Sequence, residues 1–313
     1  MTADPVAARP PRGLFVGLAT VDVVQRVEGL PGPDEKVVSS RADVSAGGPA
    51  SNAAVTFAAL GGDTTLLTVV GGGPLAAVVH ADLAEHGVAL RDVGDDAAHR
   101  PALSSVTVVD ATGERSVVSR NAEGVAVDPP PDLADLVAGA DVVLLDGHHP
   151  RLAVAAAAAA RERGVPVVLD AGSWKPVLAD LLPLVTAVIC SAAFRLPDGR
   201  VPDGALLAGG PELVAVSAGA GPLRWWRPDG SGEVLVPAVR ARDTLGAGDV
   251  LHGAYAFAVA AGLDLVQALG PAVAVASHRV GHVGPRSWLS DPLLPTLVPP
   301  TLIPPTLFRE EPR

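Results

Sequence analysis

The sequence predicts an α/β protein whose main sheet is largely parallel and covered by helices on both faces. Three observations lead there. From Asp141 onward, short apolar runs alternate with helical stretches: DVVLLDG, LAVAAAAAARERG, VPVVLDAG, AVICSA and LVAVSAG. Unbroken runs of Val, Leu and Ile read as strands buried on both faces, as in parallel sheets packed between helix layers. Two earlier stretches, at about 22–45 and 99–120, are too polar for that sheet and predict a small separate β element.

Taken in order, GLFVGLA (Gly13–Ala19) reads as a buried strand, followed by polar, turn-rich chain with β-like pieces such as KVVSS. GGPASNAAVTFAALGG (Gly47–Gly62) opens on glycines and runs into a small-residue helix. TTLLTVVG is a strand, and LAAVVHADLAEHGV carries apolar residues at helical spacing. LSSVTVVDATGERSVVSR reads as two alternating strands joined by a turn at Ala111–Gly113. Gly164 ends the LAVAAAAAARERG helix, and a short helix is expected near Val177–Leu182. WWRPDGSGEVLVPA reads as a hairpin in which Trp225 and Trp226 pack. One helix follows Gly248, and another runs through LVQALGPAVAVASHRVG. Residues 1–292 thus form one expected domain. The PTL-repeating residues 293–313 hold too many prolines for a helix or a central strand and predict an extended tail, loosely docked or disordered.

Composition narrows the function. With 313 residues, 49% hydrophobic and only 3% aromatic, the core must be built mainly from Ala, Val and Leu. A formal net charge of −11 argues against a nucleic-acid surface, although a local loop can still hold a phosphate. The single Cys190 lies in an apolar run, which excludes an internal disulfide and fits a buried thiol in a reducing cytoplasm. The N-terminal residues lack the apolar segment of a signal peptide. Every Ala/Val-rich run is interrupted before the about 18 residues that a membrane span needs. A soluble, cytoplasmic protein acting on small molecules is expected. The chain has no GxxxxGK[ST], no GxGxxG after its first strand, no HExxH, no cysteine pair and no GxSxG.

RDTLGAGDVLHGAYAFAVAAG (Arg242–Gly262) carries the strongest chemistry. A helix beginning near Gly246 leaves its first N–H groups unsatisfied at the positive end of the helix dipole. Gly246, Ala247 and Gly248 leave those amides uncovered, so a phosphate can approach them. Asp249, in the first turn, would then serve as a base toward an attacking hydroxyl. Spacing alone equally allows a helix capped by Thr244, with Asp249 merely favouring the dipole.

DTLGAGD with its Gly/Ala-rich helix resembles the C-terminal signature of the ribokinase-like (PfkB) carbohydrate kinases. GGPASNAAVTFAALGG resembles the same family's first signature. The likeness runs from about Gly13 to Gly284. GGPASN, SSVTVVDATGERSVV and RDTLGAGD look most similar to the ketohexokinase (fructokinase-like) branch. The resemblance implies a ribokinase-like fold with a β-sheet lid formed by the two polar stretches, and transfer of the ATP γ-phosphate to a sugar hydroxyl with Mg²⁺. By position it implies Asp249 as base and Gly246, Ala247 and Gly248 as anion hole. Asp22, Gly47, Gly48 and Asn52 would form the sugar site, and Arg115 or Arg120 would reach substrate from the lid. Thr244, Ala218, Gly219, Gly221, Gly246 and Gly248 would border the nucleotide, and Asp243 would help hold a monovalent cation, K⁺. Asp22 also suits its part without the family: a carboxylate at the carboxyl end of a parallel strand faces the usual ligand crevice. Asn52 could equally cap a helix.

The chain departs from the family in places. The Asn-x-x-Glu of many relatives is absent from SAAFRLP, Gly71–Pro74 replace acidic residues, and Pro49 replaces a frequent sugar donor. Asp146, His148, His149 and Asp170 follow strands and face the same crevice; a role in the sugar site or in ordering metal-bound water is open to them. A nucleoside kinase and a catalytically silent binding protein are the alternative readings. Lid strands with free edges allow a homodimer.

Overall fold

The computed structural model of the chain describes residues 9–298 and 308–310. In chain order the elements are β1 (Arg12–Val16), β2 (Thr20–Val27), β3 (Arg41–Gly47), α1 (Pro49–Ala59), β4 (Asp63–Thr68), α2 (Pro74–Glu85) and β5 (Val88–Asp92). There follow β6 (Ala102–Val109), β7 (Arg115–Arg120), α3 (Leu133–Ala138), β8 (Val142–Leu145), α4 (Pro150–Arg163), β9 (Val167–Ala171) and α5 (Leu178–Leu181). The last are β10 (Ala187–Cys190), β11 (Leu213–Ala218), β12 (Gly221–Arg227), β13 (Gly230–Val234), α6 (Ala247–Ala260), α7 (Leu269–Val280) and β14 (Phe308–Glu310).

The main sheet runs β14-β13-β12-β11-β10-β9-β8-β1-β4-β5. It is parallel from β11 to β5 and antiparallel from β12 to β14. Its strands alternate between two apolar layers, as side chains on a pleated strand must. Phe15 packs with Phe57, Leu66, Tyr255 and Phe257 under α1, α6 and α7. Its neighbours Leu14 and Val16 point the other way, toward Leu152, Ala156 and Ala160 of α4. Small helix residues let these layers close. Gly253 of α6 faces the carbonyl of Ala53 in α1, and a methyl group there would overlap that oxygen. This close crossing sets the spacing between the N-terminal ends of α1 and α6.

The second sheet, β3-β2-β6-β7, is the small β element expected from the polar stretches. Its inner face is thin: Val24, Val106 and Val108, with Leu245 packed against them. The outer strand β7 is solvent-exposed along its length, Val117 and Val118 included.

Several local expectations change. KVVSS is irregular, with Val38 exposed, and the strands are the flanking Thr20–Val27 and Arg41–Gly47. Asp22 therefore sits inside a strand of the small sheet, not at the carboxyl end of a parallel strand. No sequence pattern pointed to β5 or α3; the first is a short edge strand and the second a six-residue helix. α7 starts at Leu269, later than the apolar run suggested, because Pro271 has no N–H and fits only the first turn. Trp288 and Leu294 are buried in the main core, so the chain just before and just after residue 293 is packed. β14 pairs with β13 at the end of the main sheet, whereas 299–307 and 311–313 of the Pro-rich tail lie outside the described residues. Trp225 is buried, and Trp226 lies under Arg224 at 5.1 Å. The Cys190 thiol is buried, its pKa pushed up to about 12 by that burial. Among the described residues no helix is long and apolar enough to cross a membrane.

The α1–α6 crossing makes a prediction. Gly253→Ala should destabilise the protein by about 1–3 kcal/mol through overpacking, seen as a lower melting temperature. Unchanged melting would mean that the two helices are not held at this separation by the missing side chain.

Candidate active site

The N-terminus of α6 is built by a left-handed glycine. Gly246, at φ 74°, turns the chain so that Val250 N donates to its carbonyl at 3.0 Å. Ala247 N is turned inward to the Thr244 carbonyl at 3.3 Å. The amides of Gly248 and Asp249 have no partner among the described residues, and space around Gly248 is open. Gly248 N, of the Gly246–Ala247–Gly248 trio expected from sequence, is thus an open donor with Asp249 N beside it, while Ala247 N is committed.

Asp249 is fixed from α1. Asn52 Nδ2 donates to Asp249 Oδ2 at 2.7 Å, while Asn52 Oδ1 accepts from Arg286 Nη1 at 3.0 Å. Because a guanidinium can only donate, Arg286 forces the amide oxygen toward itself and the amide nitrogen toward Asp249. Arg286 is itself held by Asp82 at 2.9 Å and by the Ala46 carbonyl at 2.8 Å. Asn52 does not cap α1; Gly48 holds that place at φ 91°. Sequence reasoning missed Arg286 and Asp82, which lie in no signature and reach the site only through the fold.

A fully buried carboxylate stands nearby. Asp170, at the end of β9, lies 3.2 Å from His252 Nδ1 on α6. His252 Nδ1 also contacts the Gly248 carbonyl at 2.7 Å, and its Nε2 the Ile189 carbonyl at 3.1 Å. Burial, and then the charge of Asp170, push the pKa of Asp249 well above the ordinary carboxylate range. Asp170 is also raised, chiefly by burial.

Asp22 faces Gly47 across β2 and β3, and a methyl on Gly47 would overlap its carboxylate. Gly48 likewise has no room for a side chain, because a methyl would overlap the Leu18 carbonyl. Asp22 Oδ1 accepts from Thr20 Oγ1 at 2.6 Å, and burial raises its pKa. Arg115 does not hang free: its Nη1 donates to Thr244 Oγ1 at 3.0 Å, joining the small sheet to the loop before α6. Arg120 instead lines a cavity of about 200 Å³ with Asn121, Arg100 and His149.

The histidine pair divides. His148 caps Asp146, with its N 2.8 Å and its Nδ1 3.2 Å from Oδ1. Asp146 Oδ2 accepts from Leu18 N at 2.8 Å and Ala50 N at 3.2 Å, so this aspartate ties β8 to the start of α1. His149 stands at φ 53° before α4, and both its ring nitrogens are buried without a partner. Burial pushes its pKa down to about 4. Ala218, Gly219 and Gly221 form the turn between β11 and β12, with Gly219 at φ 61°.

Residues 13–292 match the pattern of the pfkB family carbohydrate kinases. The chain belongs to that family. The kinase is 30% identical over 279 residues to the ATP-dependent ribose-1-phosphate kinase of Halopiger xanaduensis, covering 88% of this chain and 94% of that protein. It is 26% identical over 277 residues to the ribokinase of Bacillus subtilis, covering 86% and 92% respectively. Its fold matches the structure of Arabidopsis thaliana ribokinase complexed with ribose and ATP at a TM-score of 0.73 and 22% identity, over 91% of this chain and 100% of that one. The protein is thus a carbohydrate kinase with the fold of a ribokinase. These relatives are ribokinases and a ribose-1-phosphate kinase, and do not single out the ketohexokinase branch.

A monovalent cation does not fit at Asp243 of this kinase. Asp243 Oδ1 accepts from Leu245 N at 3.0 Å. Its Oδ2 accepts from Gly284 N at 3.0 Å and Arg26 Nη1 at 3.3 Å, and lies 3.6 Å from Arg279 Nη2. Arg279, 2% exposed, also donates to the carbonyls of Leu245 at 2.7 Å, His282 at 2.8 Å and Asp243 at 3.4 Å. The oxygens that a hard cation would take are already held by backbone and guanidinium N–H groups, and two like charges already stand there. Turnover in KCl and in choline chloride at matched ionic strength should therefore be equal. Stimulation specific to K⁺ would show that a cation displaces Arg279.

Proposed function

We propose that this kinase transfers the γ-phosphate of ATP to a hydroxyl of a monosaccharide, with Asp249 as the general base. The observation that carries this reading is the position of Asp249. It is a half-buried carboxylate oriented by Asn52, with a raised pKa, beside uncommitted amides at the start of α6. A base with a raised pKa takes a hydroxyl proton more readily, and the neighbouring amides suit charge on the transferring phosphoryl oxygens. Asp22, with Gly47 leaving room for its carboxylate, is suited to accept hydrogen bonds from vicinal sugar hydroxyls. Thr244 and the turn at Ala218, Gly219 and Gly221 would border the nucleotide.

The buried oxygen donors fit Mg²⁺ arriving with the nucleotide, which commonly keeps several waters and takes one or two carboxylates. Asp170 is the residue that would hold its water, standing in for the absent Asn-x-x-Glu; bound Mg²⁺ would neutralise phosphate charge. Similarity to ribokinases and a ribose-1-phosphate kinase favours a pentose or pentose phosphate as acceptor. Arg120 and the unpaired His149, lining the small cavity, suit a polar or anionic end of such a substrate. That charged wall is a poor match for the flat apolar face of a nucleoside base.

Measuring ADP release with Mg·ATP across pentoses, pentose phosphates, ketoses and nucleosides tests this. One sugar should give strong turnover, and Asp249→Asn should lower kcat by about 10²–10⁴ with ATP binding kept. Near-normal turnover in that variant would remove Asp249 from the base role. A pH profile gives a separate check. The rate should rise with pH as Asp249 loses its proton, at a midpoint well above an ordinary aspartate. Asp170→Asn removes a negative charge and should move that limb to lower pH; an unmoved limb would assign it to another group.

A further inference from the structure

We propose that His278, His282 and Asp291 form a binding site for one divalent cation of the zinc class, separate from the nucleotide site. His278 and His282 lie one helical turn apart, His278 in the last turn of α7 and His282 just beyond it. Asp291 closes the following turn of chain. One ligand atom from each lies within 4.8 Å of the others. Asp291 Oδ2 is 3.2 Å from His282 Nε2 and 3.5 Å from His278 Nε2. Ligands at the Zn–N and Zn–O distances of a tetrahedral site stand about 3.3–3.4 Å apart, so the carboxylate already stands at about that spacing from each imidazole.

Hydrogen-bond accounting supports the same reading. His282 Nδ1 lies 2.9 Å from the His278 carbonyl, which can only accept, so Nδ1 carries a proton. A neutral His282 then turns the lone pair of Nε2 toward a carboxylate, a repulsive contact that a cation between them reverses. His278 Nε2 is buried with no hydrogen-bond partner. A proton on His282 would answer for one of these contacts, whereas a metal ion answers for both rings and the carboxylate. The outer contacts are those of a supported site: the His278 carbonyl orients one imidazole, and Leu293 N holds Asp291 Oδ1 at 2.9 Å. Two imidazoles favour zinc-class ions over Mg²⁺.

The ion would clasp the segment between α7 and Asp291. That segment supplies Gly284 N to Asp243 and Arg286 to Asn52, so the clasp would steady the groups that orient Asp249.

Titration of the untagged, EDTA-stripped full chain with Zn²⁺ by calorimetry, and with Co²⁺ by visible absorption, tests this. The expected result is one tight equivalent of Zn²⁺ and the intense visible bands of tetrahedral Co²⁺. His282→Gln and Asp291→Asn should each weaken binding at least about tenfold, as ligand loss should exceed loss of an outer-shell partner. Wild-type affinity retained in both variants would overturn the site, because the ion would then lie elsewhere. Should the variants fail to fold, the wild type decides alone: absence of tetrahedral Co²⁺ bands overturns the proposal.

Discussion

The hydrogen bond from Asn52 to Asp249 is the contact on which the rest of this architecture depends. It joins the first turns of two helices nearly two hundred residues apart in sequence. Gly48 begins α1 with a backbone conformation open to glycine, and Gly253 lets α1 and α6 cross closely enough for the two side chains to meet. Arg286 fixes which end of the amide faces the carboxylate, and Asp82 and the Ala46 carbonyl fix Arg286. The parallel sheet below serves this purpose by aligning both helix starts along one edge.

Three aspartates at that edge show how environment divides one residue type among different tasks. Asp146 is fully enclosed, which by itself would raise its pKa. The His148 side chain and backbone donors outweigh that burial and hold it well below the usual carboxylate range. It is a structural anion. Asp249 has fewer donors and a like charge nearby, so burial prevails and the group is raised toward the range where a base is useful. Asp170 lies between these cases, buried but facing His252.

Much of the fold was legible because parallel strands write themselves as unbroken apolar runs. β8, β9, β10 and β11 are each such a run, and α4 between β8 and β9 has a clear glycine stop at Gly164. Asp249, Asn52, Gly47 and Gly48 were legible because both signatures place them on helix starts. What escaped was whatever acts across the fold without local pattern. Arg279 reads as one more charge near a helix end, yet it is buried in a cage of carbonyl oxygens. Arg286 and Asp82 are single residues in unremarkable surroundings, paired only by tertiary packing. KVVSS misled for the opposite reason: β-branched residues favour strands, but with no partner strand beside them they remain in a loop.

The small sheet and the loop before α6 are bound to each other at three places. Arg115 reaches Thr244, Arg26 reaches Asp243 and the Arg242 carbonyl, and Leu245 packs against Val24, Val106 and Val108. The loop that shapes the start of α6 therefore has a share of its support on the small sheet. Were that sheet to shift against the main one, these contacts would part and Gly246 and its neighbours would be less firmly set. The placing of the small sheet and the setting of the amides at the head of α6 are thus mechanically one.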